Sequence, residues 1–299
     1  MIVDALVDIP GDWTHRRVSA NGARFHLAEQ GSGPLVLLVH GFPQFWWAWR
    51  HQLPALAAVG WRAAAMDLRG YGGSDKTPRG YDPVTLAADV SGVVRSLGER
   101  QAIVVGHGWG GYVGWAAATM DPGTVRGLVS VAAPHPLQVG DLRSRAVLAK
   151  HVLSMQPPLL PERRIMAHRA AWVEEHLREW AAPGSAFPDP EAADRYRTAM
   201  SLWPSPHCAV EYHRWLFRSR ARSDGRRFAA AMRRPVPSPV LQVFGARDPA
   251  VQLGATDPSR ERVSGPYDTA LLPGVGHFPP EEDPEAFNAV LLDWLTRQR

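Results

Sequence analysis

The segment Gly106–Gly111 has four glycines in six residues and lies where a predicted strand leads into a predicted helix. The apolar run Ala102–Val105 predicts the strand, and Tyr112–Met120 predicts the helix. In so tight a turn, the residues two before and two after the apex, Gly108, crowd each other, so only hydrogen-sized side chains fit there. The segment therefore predicts a sharp strand–turn–helix bend, which is typical of sheets whose strands alternate with helices.

Other apolar runs repeat this alternation along the chain. Asn21-Gly22 separates two alternating segments, Arg16–Ala20 and Arg24–Glu29, and predicts a hairpin. The remaining strands are predicted at Leu35–Val39, Trp61–Met66, Val125–Val131, Val240–Phe244 and Tyr267–Leu272. Because these runs are mostly apolar and are separated by helical stretches, the sequence predicts the α/β class, with a mostly parallel, doubly wound sheet.

Between residues 137 and 234 the alternation stops. This region contains Arg- and Trp-rich helical stretches that are broken by Pro157-Pro158, Pro183-Gly184 and Pro204, and it has no clear strand pattern. The chain is therefore predicted to fold as one α/β core, residues 1–136 and 235–299, interrupted by an all-helical cap, residues 137–234. A last helix is expected to begin after Asp283, its N-cap residue.

Composition limits the classes of protein to consider. The 33 basic and 29 acidic residues give a net charge of +4, and the densest basic cluster is interpreted as a solvated helical face, so nucleic acid is not an expected partner.

The single cysteine, Cys208, excludes an internal disulfide. Without a signal-peptide pattern or a run of 18 apolar residues, a cytoplasmic protein without a membrane span is expected. We expect neither a metal nor a nucleotide cofactor, and the oligomeric state is left open.

Chemistry-bearing residues are predicted around the bend at Gly108. The bend has the form Gly-x-nucleophile-x-Gly, the framing of a nucleophile elbow. Asp248 lies a few residues after one strand and His277 follows the next strand, so the chain order is elbow, acid, histidine. The backbone N–H groups of Phe42 and Trp109 are predicted to form an oxyanion hole.

Four ordered motifs make the chain resemble the α/β-hydrolase fold, and within it the branch of epoxide hydrolases and haloalkane dehalogenases. They are His40-Gly41-Phe42-Pro43-Gln44, Asp67-Leu68-Arg69-Gly70-Tyr71-Gly72-Gly73-Ser74-Asp75, Trp109-Gly110-Gly111 and Gly276-His277-Phe278. The resemblance covers nearly the whole core, and the helical insertion matches the cap domain of that family in position and length. It implies a cofactor-free hydrolase with a small hydrophobic substrate between core and cap.

Gly108 departs from the family pattern at the apex of the elbow. Epoxide hydrolases have an Asp there and related esterases a Ser, whereas glycine has no atom that can attack carbon. In one interpretation, Gly108 is the remnant of a lost nucleophile and the protein is inert. In the other, a water or a substrate group occupies the space beside Gly108, and His277, oriented by Asp248, acts on it as a general base. The sequence leaves both interpretations open.

The resemblance also implies two cap tyrosines that donate protons to the epoxide oxygen. The segment Ala209–Arg214 resembles the helix of the second tyrosine, but the matching position is His213, with Tyr212 one residue earlier. One residue along a helix rotates a side chain by about 100°, so Tyr212 is no direct substitute. His213 is then either the donor or a cap-core histidine, and Tyr196 is the candidate for the other tyrosine.

Three polar residues near these motifs are interpreted as structural. His107 is expected to pack away from the top of the sheet, and His40 to brace loops through hydrogen bonds. Asp67 is expected to form an ion pair with Arg69.

The leading hypothesis is an epoxide hydrolase-like enzyme that hydrolyses a small hydrophobic epoxide or ester-like molecule through His277 and Asp248 acting on water. Two alternatives are a catalytically inactive ligand-binding homologue and a proton-transfer enzyme, an isomerase or cyclase, that uses the same pocket.

Overall fold

An eight-stranded sheet forms the centre of the computed structural model, which describes residues 6–138, 142–251 and 257–298. The strands are β1 (Thr14–Ala20), β2 (Ala23–Gln30), β3 (Leu35–Val39), β4 (Arg62–Met66), β5 (Ala102–His107), β6 (Val125–Val131), β7 (Val240–Gly245) and β8 (Tyr267–Leu272). Their order is β1-β2-β4-β3-β5-β6-β7-β8. Only the β1–β2 and β2–β4 pairs are antiparallel, so the predicted mostly parallel, doubly wound sheet is confirmed.

Helices connect the strands and continue between β6 and β7. They are α1 (Gln52–Ala58), α2 (Pro83–Ser96), α3 (Trp109–Met120), α4 (Leu142–Ser154), α5 (Leu160–Trp180), α6 (Pro190–Met200), α7 (Ser205–Arg218), α8 (Ser223–Ala231), α9 (Pro279–Glu282) and α10 (Pro284–Thr296). Among the helices in the described ranges, none combines the length with the apolar character that a membrane crossing needs.

Local sequence signals account for several element boundaries. Asn21 and Gly22 adopt φ values of 44° and 73°, which is the conformation that a tight β1–β2 turn requires. Asp283 accepts a hydrogen bond from the Ala286 N–H over 3.0 Å, so it caps α10 as predicted. β3 is buried along its whole length, as expected for a strand with helices on both faces of the sheet.

The insertion between β6 and β7 contains α4 to α8, and no described residue between them is in a strand. The course of α5 is interrupted at residues 167–170, which leave helical geometry and separate two helical segments. The domain limits at residues 136/137 and 234/235 remain a prediction.

The predicted Asp67–Arg69 ion pair is wrong. Asp67 accepts hydrogen bonds from His26 Nδ1 at 2.7 Å and from the Trp46 N–H at 2.8 Å. Arg69 instead pairs with Asp89 of α2 at 2.6 Å. The pairing differs because Asp67 lies beside β2 and its histidine, whereas the guanidinium of Arg69 lies against α2.

Candidate active site

The bend at Gly108 joins β5 directly to α3. Gly108 has φ 52° and ψ −114°, a backbone conformation that side chains rarely adopt. A Cβ atom on Gly110 would lie 2.0 Å from the Val39 carbonyl oxygen, and one on Gly106 would lie 2.3 Å from the Gly110 carbonyl oxygen. Glycines two before and two after the apex are therefore a steric requirement of the bend.

His277 and Asp248 meet at the carboxyl ends of the strands. His277 Nδ1 lies 2.8 Å from Asp248 Oδ2, and both side chains are buried. Asp248 is held in place because its other oxygen, Oδ1, accepts from the N–H groups of Ala250 at 2.7 Å and Val251 at 2.9 Å. With the carboxylate accepting at Nδ1, the imidazole carries its proton there and its Nε2 presents a lone pair.

That lone pair faces the apex of the bend. A Cβ atom built on Gly108 would lie 3.7 Å from His277 Nε2 and 3.7 Å from the Gly41 Cα. Among the described residues, no other non-neighbouring atom comes within 4 Å of that position. The bend thus has room for a small group directly in front of the imidazole.

Two backbone N–H groups border the same place. Gly41, which precedes Phe42, touches the Gly108 position, and Trp109 is the first residue of α3. Within residues 6–138, 142–251 and 257–298, the N–H groups of Phe42 and Trp109 have no hydrogen-bond acceptor. Free N–H donors suit developing negative charge, and that of Trp109 lies at a helix N-terminus.

The two cap tyrosines named as candidate proton donors form hydrogen bonds within the protein. The Tyr212 hydroxyl donates to the Arg69 carbonyl oxygen at 2.7 Å, and the Tyr196 hydroxyl donates to Glu281. Both hydroxyls are fully buried in these bonds. Both hydroxyls therefore have an acceptor within the protein, and the role of Tyr196 or Tyr212 as a proton donor to a substrate stays a prediction.

His213 does lie over the bend, but as an acceptor. Its Nδ1 lies 3.0 Å from the Ala209 carbonyl oxygen, which only accepts, so Nδ1 carries the proton. Its Nε2 then accepts from the indole N–H of Trp109 at 3.0 Å. Burial lowers the pKa of His213 to about 4, so the neutral ring is the ordinary state. Neutral His213 therefore has its one proton on the Ala209 carbonyl, and its role as a donor to a substrate stays a prediction.

His107 and His40 have structural contacts. His107 Nε2 lies 2.7 Å from the His277 carbonyl oxygen, and burial lowers the pKa of His107 to about 3. His40 Nε2 accepts from the Leu68 N–H at 3.0 Å while its Nδ1 donates to the Gly41 carbonyl at 2.9 Å. His40 thus braces two loops, as expected, and His107 fixes the backbone that carries His277.

Sequence reasoning missed two further histidines at the site. His151 of α4, His176 of α5 and His213 of α7 form a group that we call the imidazole cluster. The ring centroid of His151 lies 5.0 Å from that of His176 and 4.9 Å from that of His213. Trp180 connects the cluster to His277, because its ring centroid lies 4.6 Å from His176 and 4.8 Å from His277.

The cluster is held uncharged. Burial, followed by the neighbouring imidazoles, moves the pKa values of His151 and His176 well below the ordinary value. His151 Nε2 lies 3.1 Å from His213 Nε2, which has no proton, so His151 is the donor in that contact. The space above the bend is consequently lined by uncharged rings.

One group of described residues has the arrangement that a metal ion requires, and it lies away from this site. Ligand atoms of Asp8, His15 and His26 lie within 4.8 Å of one another. No local spacing along the chain indicates this group, because its members lie in three separate elements or loops. The histidines of the imidazole cluster do not meet the same distance condition.

Comparison with known proteins places these observations in a family context. Residues 36–290 match a family model described as the alpha/beta hydrolase family. The chain is similar to epoxide hydrolase A of Mycobacterium tuberculosis, with 30% identity over 95% of this chain and 97% of that protein. It is also similar to epoxide hydrolase 3 of Xenopus tropicalis, with 29% identity over 95% of this chain and 78% of that protein.

Solved structures show the same similarity. An epoxide hydrolase from an endophytic Streptomyces superposes with a TM-score of 0.82 at 30% identity, covering 96% of each chain. Epoxide hydrolase A from Mycobacterium thermoresistibile superposes with a TM-score of 0.77 at 28% identity, covering 95% of this chain and 98% of the other.

Proposed function

Because this chain belongs to the alpha/beta hydrolase family and is epoxide hydrolase-like, we propose that it hydrolyses a small hydrophobic epoxide or ester-like molecule through His277, which activates water directly. The observation that carries the proposal is the 3.7 Å between His277 Nε2 and the Cβ position of Gly108. In the family pattern a nucleophile projects from that position, and here a water takes its place. The uncharged rings of the cap suit an apolar substrate.

The reaction at an epoxide adds one water. As the water oxygen bonds to the epoxide carbon, Nε2 of His277 takes one water proton and the C–O bond of the ring breaks. Asp248 stabilises the imidazolium that results. The released alkoxide takes up a proton from solvent, and His277 gives its proton back to solvent, so the sum is substrate plus water to diol.

The negative charge that develops on the leaving oxygen is stabilised by hydrogen-bond donors. In the cap, the protons of Tyr196, Tyr212 and His213 go to other acceptors, and the N–H of His151 reaches the leaving oxygen once its contact with His213 Nε2 opens. For an ester-like substrate, the free N–H groups of Phe42 and Trp109 supply the corresponding contact. These donors act by hydrogen bonding and do not change the overall balance of protons.

The expected rate is low. Removal of the nucleophile from a catalytic triad costs about 10⁶ in turnover, and the remaining site still gives about 10³–10⁴ over water. Activity of this size favours a strained electrophile, such as an aromatic epoxide, over an ordinary ester.

The decisive experiment is a single turnover of an aromatic epoxide with excess protein in ¹⁸O-labelled water. Wild-type protein should place ¹⁸O in the diol in the first turnover. His277→Gln should lower the rate by about 10²-fold, the size of a general-base contribution. Asp248→Asn should act in the same direction, because Asn offers Nδ1 a donor and favours the tautomer protonated at Nε2.

Gly108→Asp provides the complementary test. A carboxylate at the apex should form an ester with the substrate, so the first diol should carry unlabelled oxygen from the protein. Gly98→Asp is the matched control, because Gly98 also has positive φ and open space around its Cβ position, far from His277 in the sequence and at the surface turn after α2. It should behave like wild type.

The proposal fails if wild-type protein turns over epoxides and esters no faster than His277→Gln. Binding of an apolar ligand without a change of mass would then favour the inactive homologue. A product with the mass of the substrate would favour isomerisation or cyclisation.

A further inference from the structure

The group Asp8, His15 and His26 lies on the edge hairpin of the sheet. His15 is in β1 and His26 in β2, and β4 and β3 lie between β2 and the strand that leads to Gly108. None of these three residues takes part in the chemistry proposed above. The hydrogen-bond partners of the two histidines determine which nitrogen of each ring is the donor.

His26 presents a lone pair at Nε2. Its Nδ1 lies 2.7 Å from Asp67 Oδ2, and both side chains are fully buried. Asp67 also accepts from the N–H groups of Trp46 and Gly73, both at 2.8 Å, so its carboxylate is the acceptor toward His26 Nδ1. Nδ1 of His26 is therefore the donor, which leaves Nε2 as its ligand atom. A carboxylate that orients an imidazole in this way is the usual outer partner of a metal-ligating histidine.

His15 presents a lone pair at Nδ1. Its Nε2 lies 2.8 Å from the Ile9 carbonyl oxygen, which only accepts, so Nε2 carries the proton. His15 thus has the same status as His26: one nitrogen fixed by an acceptor and the other left as a base.

These two lone pairs face each other. His15 Nδ1 lies 3.0 Å from His26 Nε2, the ring centroids are 5.1 Å apart and the ring planes differ by 19°. Asp8 Oδ1 lies 3.1 Å from the same His26 nitrogen. Three electron-pair donors therefore meet with no proton assigned between them, an arrangement that is repulsive unless a cation is shared.

We propose that Asp8, His15 and His26 bind one divalent transition-metal ion, for which Zn²⁺ is the best fit. Two imidazole nitrogens and one carboxylate oxygen are a common zinc set, with water as the fourth ligand. Two nitrogens at about 2.0–2.1 Å from a tetrahedral ion lie about 3.3 Å apart, so the observed 3.0 Å needs only a small opening. Mg²⁺ fits poorly because it prefers oxygen ligands.

The residues around the three ligands hold them in place, and their positions indicate that the ion would have a structural role. Arg17 NH2 lies 2.9 Å from Asp8 Oδ1 and holds that carboxylate beside the histidines. The ring of Trp46 packs edge-on against His15 at 5.1 Å and shields the group from solvent on one side. An ion here would join the segment before β1 to the hairpin and, through Asp67, to the end of β4.

The test uses the untagged full chain, treated with a chelator and titrated with Zn²⁺ in competition with a chromophoric chelator. Wild-type protein should bind one Zn²⁺ per chain with a melting temperature that rises by roughly 5 °C at saturation. Co²⁺ in its place should give the visible absorption of a tetrahedral nitrogen and oxygen site. Mg²⁺ should give neither effect.

Two variants and two matched controls locate the ion. His15→Gln, at a half-buried position, should weaken Zn²⁺ binding at least 100-fold, and Asp8→Asn at least 10-fold. The exposed residues His168 and Asp12 serve as controls, and His168→Gln and Asp12→Asn should bind Zn²⁺ as wild type does. Circular dichroism verifies that each variant is folded.

Three results would overturn the proposal. The first is wild-type protein without stoichiometric Zn²⁺. The second is equal binding by wild type and His15→Gln, which would place the ion elsewhere. The third is a melting temperature that responds to acid but not to metal, which would mean that a proton is shared between His15 and His26.

Discussion

The indole N–H of Trp109 donates to Nε2 of His213 over 3.0 Å, which joins the first residue of α3 in the core to α7 in the cap. This bond exists only while His213 is neutral, because a protonated ring would place an N–H against the indole N–H. Burial, which lowers the pKa of His213 to about 4, maintains that state. The contact between core and cap is therefore sensitive to acid.

We predict that His213→Gln makes the protein less sensitive to acid. In the unfolded chain His213 titrates near 6.5 and in the folded chain near 4, so only the unfolded state takes up this proton as pH falls from 6.5 to 4. The stability contributed by neutral His213 is lost in that window, by about 2 kcal/mol between pH 7 and pH 5. Gln keeps an acceptor for Trp109 but does not titrate.

The measurement is the free energy of unfolding in urea at pH 7 and pH 5. The difference between the two pH values should be about 2 kcal/mol smaller in His213→Gln than in wild type. The exposed His168→Gln variant should keep the wild-type difference. Equal differences in His213→Gln and wild type would show that His213 titrates normally in the folded protein.

The fold was largely predictable because its signals are local. Each buried strand is a short apolar run, and the positions of β3 and β6 agree with the runs Leu35–Val39 and Val125–Val131 to the residue. The Asn21-Gly22 turn is likewise fixed by backbone conformation at two adjacent residues. Periodicity and turn chemistry act within a few residues, so the sequence contains them directly.

The candidate site was predictable only where its residues belong to motifs. Gly108, Asp248 and His277 follow strands in a fixed order, and the structure brings them together. His151 and His176 come from separate helices, and nothing in their neighbourhood along the chain distinguishes them. Likewise, the partner of Asp67 is set by the register of β2, which local sequence does not reveal. Contacts of this kind depend on how helices and strands pack.

We predict that Gly110→Ala prevents stable folding. A Cβ there would lie 2.0 Å from the Val39 carbonyl oxygen and 2.7 Å from that of His40, and both are backbone atoms that cannot rotate away. We expect a loss of at least about 4 kcal/mol, seen as a lower urea midpoint or as the absence of folded protein.

Gly98→Ala is the matched control for that substitution. Gly98 has positive φ, but no atom lies within 4 Å of its Cβ position among the described residues. Gly98→Ala should therefore lose only about 1–2 kcal/mol of unfolding free energy, which is the cost of placing a Cβ atom at positive φ. Similar losses in the two variants would mean that the contact with Val39 is not what requires glycine at the bend.

We predict that Glu281→Gln removes a loss of stability that wild type shows as pH rises. Glu281 accepts from the Tyr196 hydroxyl and lies 2.7 Å from Arg50, yet burial raises its pKa to about 7 against the lowering effect of Arg50. Between pH 4.5 and 7 the unfolded chain releases this proton while the folded chain retains it. The stability contributed by Glu281 is therefore complete below 4.5 and is lost as pH rises through 7, by about 2 kcal/mol between pH 5 and 7.5.

Urea unfolding at pH 5 and pH 7.5 measures this effect. The contribution of Glu281 to stability falls as pH rises, whereas that of His213 falls as pH decreases. The change in unfolding free energy from pH 5 to pH 7.5 should be more positive in Glu281→Gln than in wild type, by about 2 kcal/mol. Glu285→Gln, at an exposed position in the first turn of α10, should follow wild type. The same pH dependence in wild type and Glu281→Gln would mean that Arg50 keeps Glu281 ionised throughout, in which case the Tyr196 hydroxyl donates to a permanent carboxylate.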